Sequence, residues 1–579
     1  MNRSNNYCYT NNFINLLAAH PYICAFAVCI LINPFFLGAI ENIPSNALWL
    51  ESFIAIGVVS YFGFQKYKSG SLSKLKFILF EIIAVAVSLF AAKLYAGAHN
   101  KNLWHFIGGC IALLLLYYKA DKTKYRTQLK ALLILGMGFL LKLYYVLGTS
   151  VYTRQHDVGY FGGDIGHTGY IEYLLYNHHL PDFDVRERWQ FCHPPLHHAI
   201  SAIWISINEN IFLVGHDPAR ESLQTLTLFY SMCIIISAYR ILRHFKLQGM
   251  ALYIPLIIIS FHPAFILFSG SINNDVLSVA FVMGAVICTL KWYDNHTFKN
   301  ILKIALCVGL GMMTKLSAAF VAPPIAVVFL VVFIKKFKTD WKKLFGQFCA
   351  FGAVCAPLGL WYEVRSYIKW KVPLNYVQEL GDGVLQYIGN QSFISRITDF
   401  SPHQLKSVFE QWAYFDDNGM VKGYNEYNPL IAILKNSLFS ESINESSFAE
   451  NSFIFKISTL FFWIGILIVL LSLIAIVVTC FIKSKMRLME KVFFGLFYVV
   501  LIVFFYKMAY DYPLTCTMDF RYITPTVIIG SLFIGLTMDK ISVSNKKSCK
   551  AMMYSTGALA LLFALCSTII YIAVCYVVA

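Results

Sequence analysis

"LHHAISAIWISINENIFLV", residues 196–214, reads as a single helix, and whether it crosses the membrane decides the topology of everything after it. It places Asn208, Glu209 and Asn210 side by side, and these are costly in hydrocarbon. Counting it as a span would also turn Arg240, Arg243 and Lys246, with the later basic clusters, to the outer side, against the bias of Lys and Arg for cytoplasmic loops. It is therefore expected to be an amphipathic helix lying on the outer face of the membrane.

The rest of the chain fits that placement. Of 579 residues, 58% are hydrophobic and 13% charged. Together with a mean hydropathy of +0.61 this describes a multi-span membrane protein. The net charge of +16 is accordingly read loop by loop, not as a sign of nucleic acid. The fifteen Cys are scattered through apolar runs with no CxxC pair, so they read as small buried hydrophobes, and pairing of Cys192 with Cys516 stays open. The apolar run 16–40 exceeds a signal-peptide core and reads as an uncleaved first span.

Apolar runs of roughly 17 to 25 residues predict about fifteen spans. They fall near 16–40, 48–65, 77–97, 104–118, 131–149, 222–242, 250–269, 275–293, 299–314, 318–334, 345–366, 454–482, 492–510, 521–538 and 552–577. With the N-terminus cytoplasmic, the basic clusters at 66–76, 119–126, 240–246, 335–343, 483–487 and 546–550 all lie inside. The predicted fold class is an all-α polytopic membrane protein: extra helices over 1–129, a core over 130–366 with an outer loop at 150–222, a large outer loop at 367–452, and C-terminal helices over 453–579.

The first outer loop concentrates acids and imidazoles beside the membrane. Asp157 is its leading general-base candidate and Asp164 the rival, with His156 and His167 placed to orient or charge-balance a carboxylate. The glycines of "GYFGGD" allow tight turns near a ligand, and "GHTGYIEYLLYNHHLP" has the spacing of a short helix ended by Pro181. His193, His197 and His198 suggest a metal site, but prolines separate His193 from the helix, and no metal is expected. Elsewhere Asn273, Asn274 and Asp275 sit at the outer end of a span, where Asp275 either caps the next helix or serves the site. Lys315, and Asp519, Arg521 and Tyr522, fall at the same interface, where cations suit a phosphate. Lys142 lies within a span and must find a partner or reach the surface.

Several of these segments resemble a known family. "HDVG" (156–159), "GHTGYIEYLL" (166–175), Leu180 with Pro181, "HPPLHH" (193–198), and the later "NND", "TK" and "FRYITP" resemble membrane glycosyltransferases of the GT-C fold, especially bacterial members of the dolichyl-phosphate-mannose protein mannosyltransferase family, glycosyltransferase family 39. The resemblance spans residues 130–540. It implies inverting transfer of a sugar from a polyprenyl-phosphate donor to a glycan, lipid or protein acceptor on the extracytoplasmic face, with no cofactor required. It also implies that the loop Asp, mapping to Asp157 or Asp164, activates the acceptor, and that a subset of Lys142, Lys315 and Arg521, with Tyr522, meets the donor phosphate. Tyr170, Glu172, Gln190, His193, His197, Asn274 and Asp275 complete the expected substrate surface. The chain departs from the family's common Asp-Glu pair, having Asp157-Val158 and Asp164-Ile165. Two other classes compete. A transporter or flippase of lipid-linked saccharides would need intramembrane acids, of which Glu81 is one of few, and a non-catalytic subunit would bind donor without turnover.

Overall fold

The computed structural model describes residues 20–39, 101–120, 126–374, 391–400, 426–440 and 452–577, with isolated positions between them. The predicted spans 48–65 and 77–97, Glu81, and most of the second large loop lie outside the described residues.

Among the described residues the secondary structure is helical, and eight helices are long and apolar enough to cross a membrane, or nine if one bent pair counts as a span. The chain is a multi-pass membrane protein. The helices are α1 (Pro21–Ala39), α2 (Lys101–Ala120), α3 (Arg126–Leu147), α4 (Gly166–Asn177), α5 (Leu196–Asn210), α6 (His216–Glu221), α7 (Leu223–His244), α8 (Met250–Phe261) and α9 (Pro263–Gly270). There follow α10 (Asp275–Asp294), α11 (Phe298–Thr314), α12 (Ala322–Trp370), α13 (Phe393–Thr398), α14 (Pro429–Phe439), α15 (Ser452–Phe481), α16 (Leu488–Asp511), α17 (Pro525–Ser542) and α18 (Lys547–Val577).

Burial separates centre from periphery. Helices α7 and α17 lie mostly inside the bundle, whereas α15 and α16 leave most of their length uncovered. On α15 the uncovered positions Trp463, Leu467, Leu470, Ile474 and Val477 form an apolar stripe at helical spacing, as a lipid-facing surface requires.

Two irregularities shape the core. The predicted span 250–269 breaks into α8 and α9, bent by 45°. The cause is local: Pro263 cannot donate a backbone hydrogen bond, and His262 turns out of the helix so that its Nδ1 accepts from the Ala264 amide. The freed carbonyl of Ser260 then accepts from Lys142 Nζ at 2.7 Å. Helix α3 reaches this point because Gly138 has no side chain, and a Cβ there would lie 2.8 Å from the Ser260 oxygen.

The second irregularity is α12. Helical backbone runs unbroken through 49 residues, yet the rings of Phe329 and Phe348 stack at 5.1 Å. Along a straight helix they would be about 28 Å apart. The helix therefore folds back on itself between them, through the lysine-rich stretch 335–343, and the predicted spans 318–334 and 345–366 are its two arms.

Helix α5, at 15 residues, is shorter than any of the spans. Its costly Asn208 is fully buried and satisfied: Asn33 of α1 donates to its Oδ1 at 3.0 Å, and its own Nδ2 donates to the Trp204 carbonyl. Glu209 lies at the surface against His216.

The two ends of the bundle differ in charge. Basic residues occupy the last turns of α7, α10 and α17 and the start of α16. Lys336, in the reversal of α12, meets His296 at that same end. The opposite end gathers the starts of α10 and α17, the ends of α3, α11 and α16, and the loop carrying Asp157.

Candidate active site

The loop after α3 is fixed by its backbone before any side chain acts. Gly159 and Gly166 both have positive φ, and a Cβ on Gly166 would lie 2.3 Å from the Val158 oxygen. This close approach lets the Asp157 and Val158 carbonyls accept from the His167 and Thr168 amides, which would otherwise be orphaned at the start of α4. Asp157 itself is held at φ 59°, a conformation that costs a non-glycine residue energy and that the surrounding bonds maintain.

Held this way, Asp157 Oδ2 accepts from Arg521 Nη2 at 2.8 Å. Arg521 is the hub of the site. Its Nε lies 3.6 Å from both Asp275 and Asp519, and its Nη2 also donates to the Tyr522 hydroxyl at 3.0 Å. Asp275 in turn binds Lys315 Nζ at 2.5 Å, and Lys315 lies over the Tyr522 ring. Asp275 thus serves the ion-pair network and does not cap α10 through its side chain. His156 bridges Asp519 and the Ser440 hydroxyl. Burial alone would raise the Asp157 carboxyl, but Arg521, His156 and Lys315 outweigh it and hold the group below the usual carboxylate range. Its side chain stays 37% exposed, so a substrate can reach it.

Two small clefts of about 30 Å³ flank Arg521. One begins at Asp275, Arg521 and Tyr522 and continues along apolar Val279, Val282, Phe497 and Leu501, between α10 and α16. The other lies between the polar Arg154, Ser271, Asn273 and Asp519 and the apolar Ala264, Leu267, Phe268 and Phe520.

Behind the loop stands a column of rings. His193 stacks on His167, His167 on His198, His198 on Tyr170 and Tyr170 on Phe191, with centroids 4.3 to 5.7 Å apart. His167 Nδ1 and His198 Nε2 share a hydrogen bond of 2.8 Å. Burial pushes His193 and His197 down to about 4, and His167 and His198 well below the ordinary imidazole value. The column joins α12 where the Tyr170 hydroxyl meets that of Tyr362. His197 Nε2 holds the Ile272 carbonyl, and the Gln155 side chain clips both Gly270 and Ile272, anchoring the turn before Asp275.

Of the residues expected from sequence, Asp157, His156, Lys315, Arg521, Tyr522 and Asp275 meet in this network, and Asn274 braces it by donating to the Thr314 carbonyl next to Lys315. Others stand apart. Lys142 is fully buried on backbone carbonyls at the α8 break, so it is placed as a structural cation and not at the network. Asp164 is exposed on the loop, with no hydrogen bond or ion pair among the described residues. Glu172 ties the Gly162 amide to Arg220, Tyr170 belongs to the ring column, and Gln190 takes the Gln378 side chain on its backbone amide. His193, His197 and His198 are engaged in the column or on a carbonyl. The cluster with metal-ligand spacing among the described residues is instead His244, Asp294 and Glu490 at the basic end, and Arg487 already occupies its carboxylates. Cys192 and Cys516 are both free thiols.

Sequence reasoning missed Arg154, Gln155, Ser271 and Ser440. Arg154 and Gln155 directly precede the "HDVG" motif, which was the available signal. Ser440 falls in a loop with no motif.

Residues 193–361 match the family model for dolichyl-phosphate-mannose-protein mannosyltransferases, which are membrane glycosyltransferases of the mannosyltransferase type. No curated protein matches the chain. The matched stretch holds Asp275 and Lys315, while Asp157 lies before it and Arg521 after it.

Proposed function

We propose that the protein is a glycosyltransferase that moves a sugar from a polyprenyl-phosphate donor to an acceptor on the extracytoplasmic face, with inversion. The cleft beside Arg521 carries this reading: cations and a phenol at its mouth give way to an apolar groove between membrane helices, the shape of a site for a lipid with an anionic head. A lipid-anchored donor gains proximity by lying along such an interface. The network's position opposite the basic helix ends supports the extracytoplasmic placement.

In this reading Lys315 and Arg521 stabilise the departing phosphate, and no metal is needed for that charge. Asp157 is the base that takes the acceptor proton. Its contact with Arg521 gives it a switch: a donor phosphate drawing on Arg521 Nη2 loosens the ion pair, and the released carboxylate becomes more basic as the donor arrives. The exposed Asp164, lacking such partners, is not assigned the role.

The test is transfer in proteoliposomes supplied with polyprenyl-phosphate sugars. Covalent transfer lost in Asp157→Asn, with expression and thermal stability retained, supports the reading. Movement of the lipid-linked sugar across the bilayer without transfer would replace it with a flippase, and donor binding without turnover would leave a binding subunit.

A further inference from the structure

Arg154 is a buried guanidinium, 8% exposed, held in a left-handed backbone conformation at φ 56°. Its Nε donates to the Tyr145 hydroxyl at 3.2 Å and its Nη2 to Thr149 Oγ1 at 2.6 Å, both neutral partners. Among the described residues no carboxylate lies within ion-pair distance of it, and its Nη1 is buried without any partner. A buried cation left with neutral partners is costly, and a conformation that fixes two of its three nitrogens while leaving the third free resembles a prepared receptor.

The surroundings point the same way. Arg154 lines the second cleft with Ser271, Asn273, Asp519 and Arg521, together with apolar Phe268 and Phe520. Ser271 Oγ and Asn273 Nδ2 are also buried without partners. The orientation of the Asn273 amide is fixed by its Oδ1, which accepts from the Asp275 backbone, so its free atom is a donor. Asp519, the acid in this cleft, is already engaged by His156 and Arg521. Arg154 Nη1 and Asn273 Nδ2, with the Arg521 guanidinium beside them, therefore set two cations and an amide donor against the one carboxylate of this cleft. At about 30 Å³ the cleft admits a small group and not a sugar ring. A water needs on the order of 10 to 15 Å³ by this measure, so two oxygens fit.

We propose that this cleft is an oxyanion pocket, in which Arg154, Ser271 and Asn273 bind a carboxylate or phosphate group carried by the saccharide substrate. Assigning the anion to a saccharide rests on the glycosyltransferase reading; the pocket's preference for an anion does not. Arg521 closes the pocket on the side of the lipid cleft, so the charged substituent and the proposed donor phosphate lie on opposite sides of one guanidinium.

The experiment uses the full-length protein in nanodiscs, with thermal unfolding followed against inorganic phosphate, glucuronate and glucose. Phosphate and glucuronate are expected to raise the midpoint saturably and glucose is not. Arg154→Gln should weaken glucuronate binding at least tenfold, Arg154→Lys should restore part of it, and Lys315→Gln should leave it unchanged. Should Arg154→Gln fail to fold, the double variant Ser271→Ala, Asn273→Ala carries the same expectation. Glucose matching glucuronate would overturn the proposal, as would wild-type affinity in both the Arg154→Gln and the double variant, or no saturable anion effect on the wild type. Anion binding lost in Lys315→Gln but intact in Arg154→Gln would overturn it while leaving the lipid-phosphate reading standing.

Discussion

Asp157 and Arg521, 364 positions apart in the chain, meet at 2.8 Å, and through Arg521 the carboxylate is linked to Asp275, Asp519, Tyr522 and, by way of Asp275, Lys315. If that carboxylate is the base, Asp157→Asn lowers transfer by at least about a hundredfold while leaving the melting temperature within a few degrees. Asp164→Asn stays within about threefold of wild type, because the side chain it alters has no partner among the described residues. Equal losses in both variants would remove the assignment of the base.

The two lysines expected at the donor separate cleanly. Lys315→Gln should raise the KM for the polyprenyl-phosphate donor by roughly one to two orders of magnitude, the scale for losing a charge-assisted contact. Lys142→Gln should leave donor KM within about twofold. It should instead lower stability by about 1 to 3 kcal/mol, because the Ser260 carbonyl loses its donor. Kinetics and unfolding on the same preparations check both, and a donor KM effect at Lys142 would return it to the site.

The histidines of the ring column and neighbouring His197 predict acid sensitivity. His193 and His197 are pushed down to about 4, against about 6.5 in an unfolded chain, so the unfolded state binds more protons between these values. Stability is full above pH 6.5 and falls as the pH drops toward 4, by roughly 2 kcal/mol per imidazole at pH 5. His198→Phe keeps a ring in the column but removes a titrating group, so it should flatten the acid slope of the melting temperature. An unchanged slope would mean that other groups control it.

Backbone geometry grades the glycines. Gly166→Ala drives a methyl into the Val158 carbonyl and should disrupt the Asp157 turn, with transfer reduced more than tenfold. Gly162→Ala also has positive φ but nothing within 4 Å, so it should cost only about 1 kcal/mol and spare activity. Transfer assays on the two variants decide, and comparable defects would argue that φ alone matters.

Much of the architecture was legible because hydropathy and basic clusters are local signals. The α12 reversal, for instance, coincides with the lysines at 335–343, which the sequence reading places in a turn between two spans. Asp157, Asp275, Lys315, Arg521 and Tyr522 were each legible as polar groups at helix ends. Their pairing was not, because contacts across hundreds of residues leave no periodic trace. The break at His262 was hidden in a continuous apolar run, and with it the reason Lys142 turns inward. Tyr170 and Glu172, expected at the substrate, are spent on packing and on fastening the loop, which motif position does not distinguish from chemistry.

Because Asp157 and Arg521 flank the stretch 193–361 on either side, the segment that carries the family signature holds only Asp275 and Lys315 of the ion-pair network. Chain assembly is thus itself an assembly step for the site: a ribosome must finish α16 before the loop's carboxylate has its counter-ion, and a product truncated after residue 511 would fold many helices yet present Asp157 to water unpaired. Split into two polypeptides, neither piece would transfer sugar alone, and activity recovered on co-expression would measure how well the halves find each other in the bilayer.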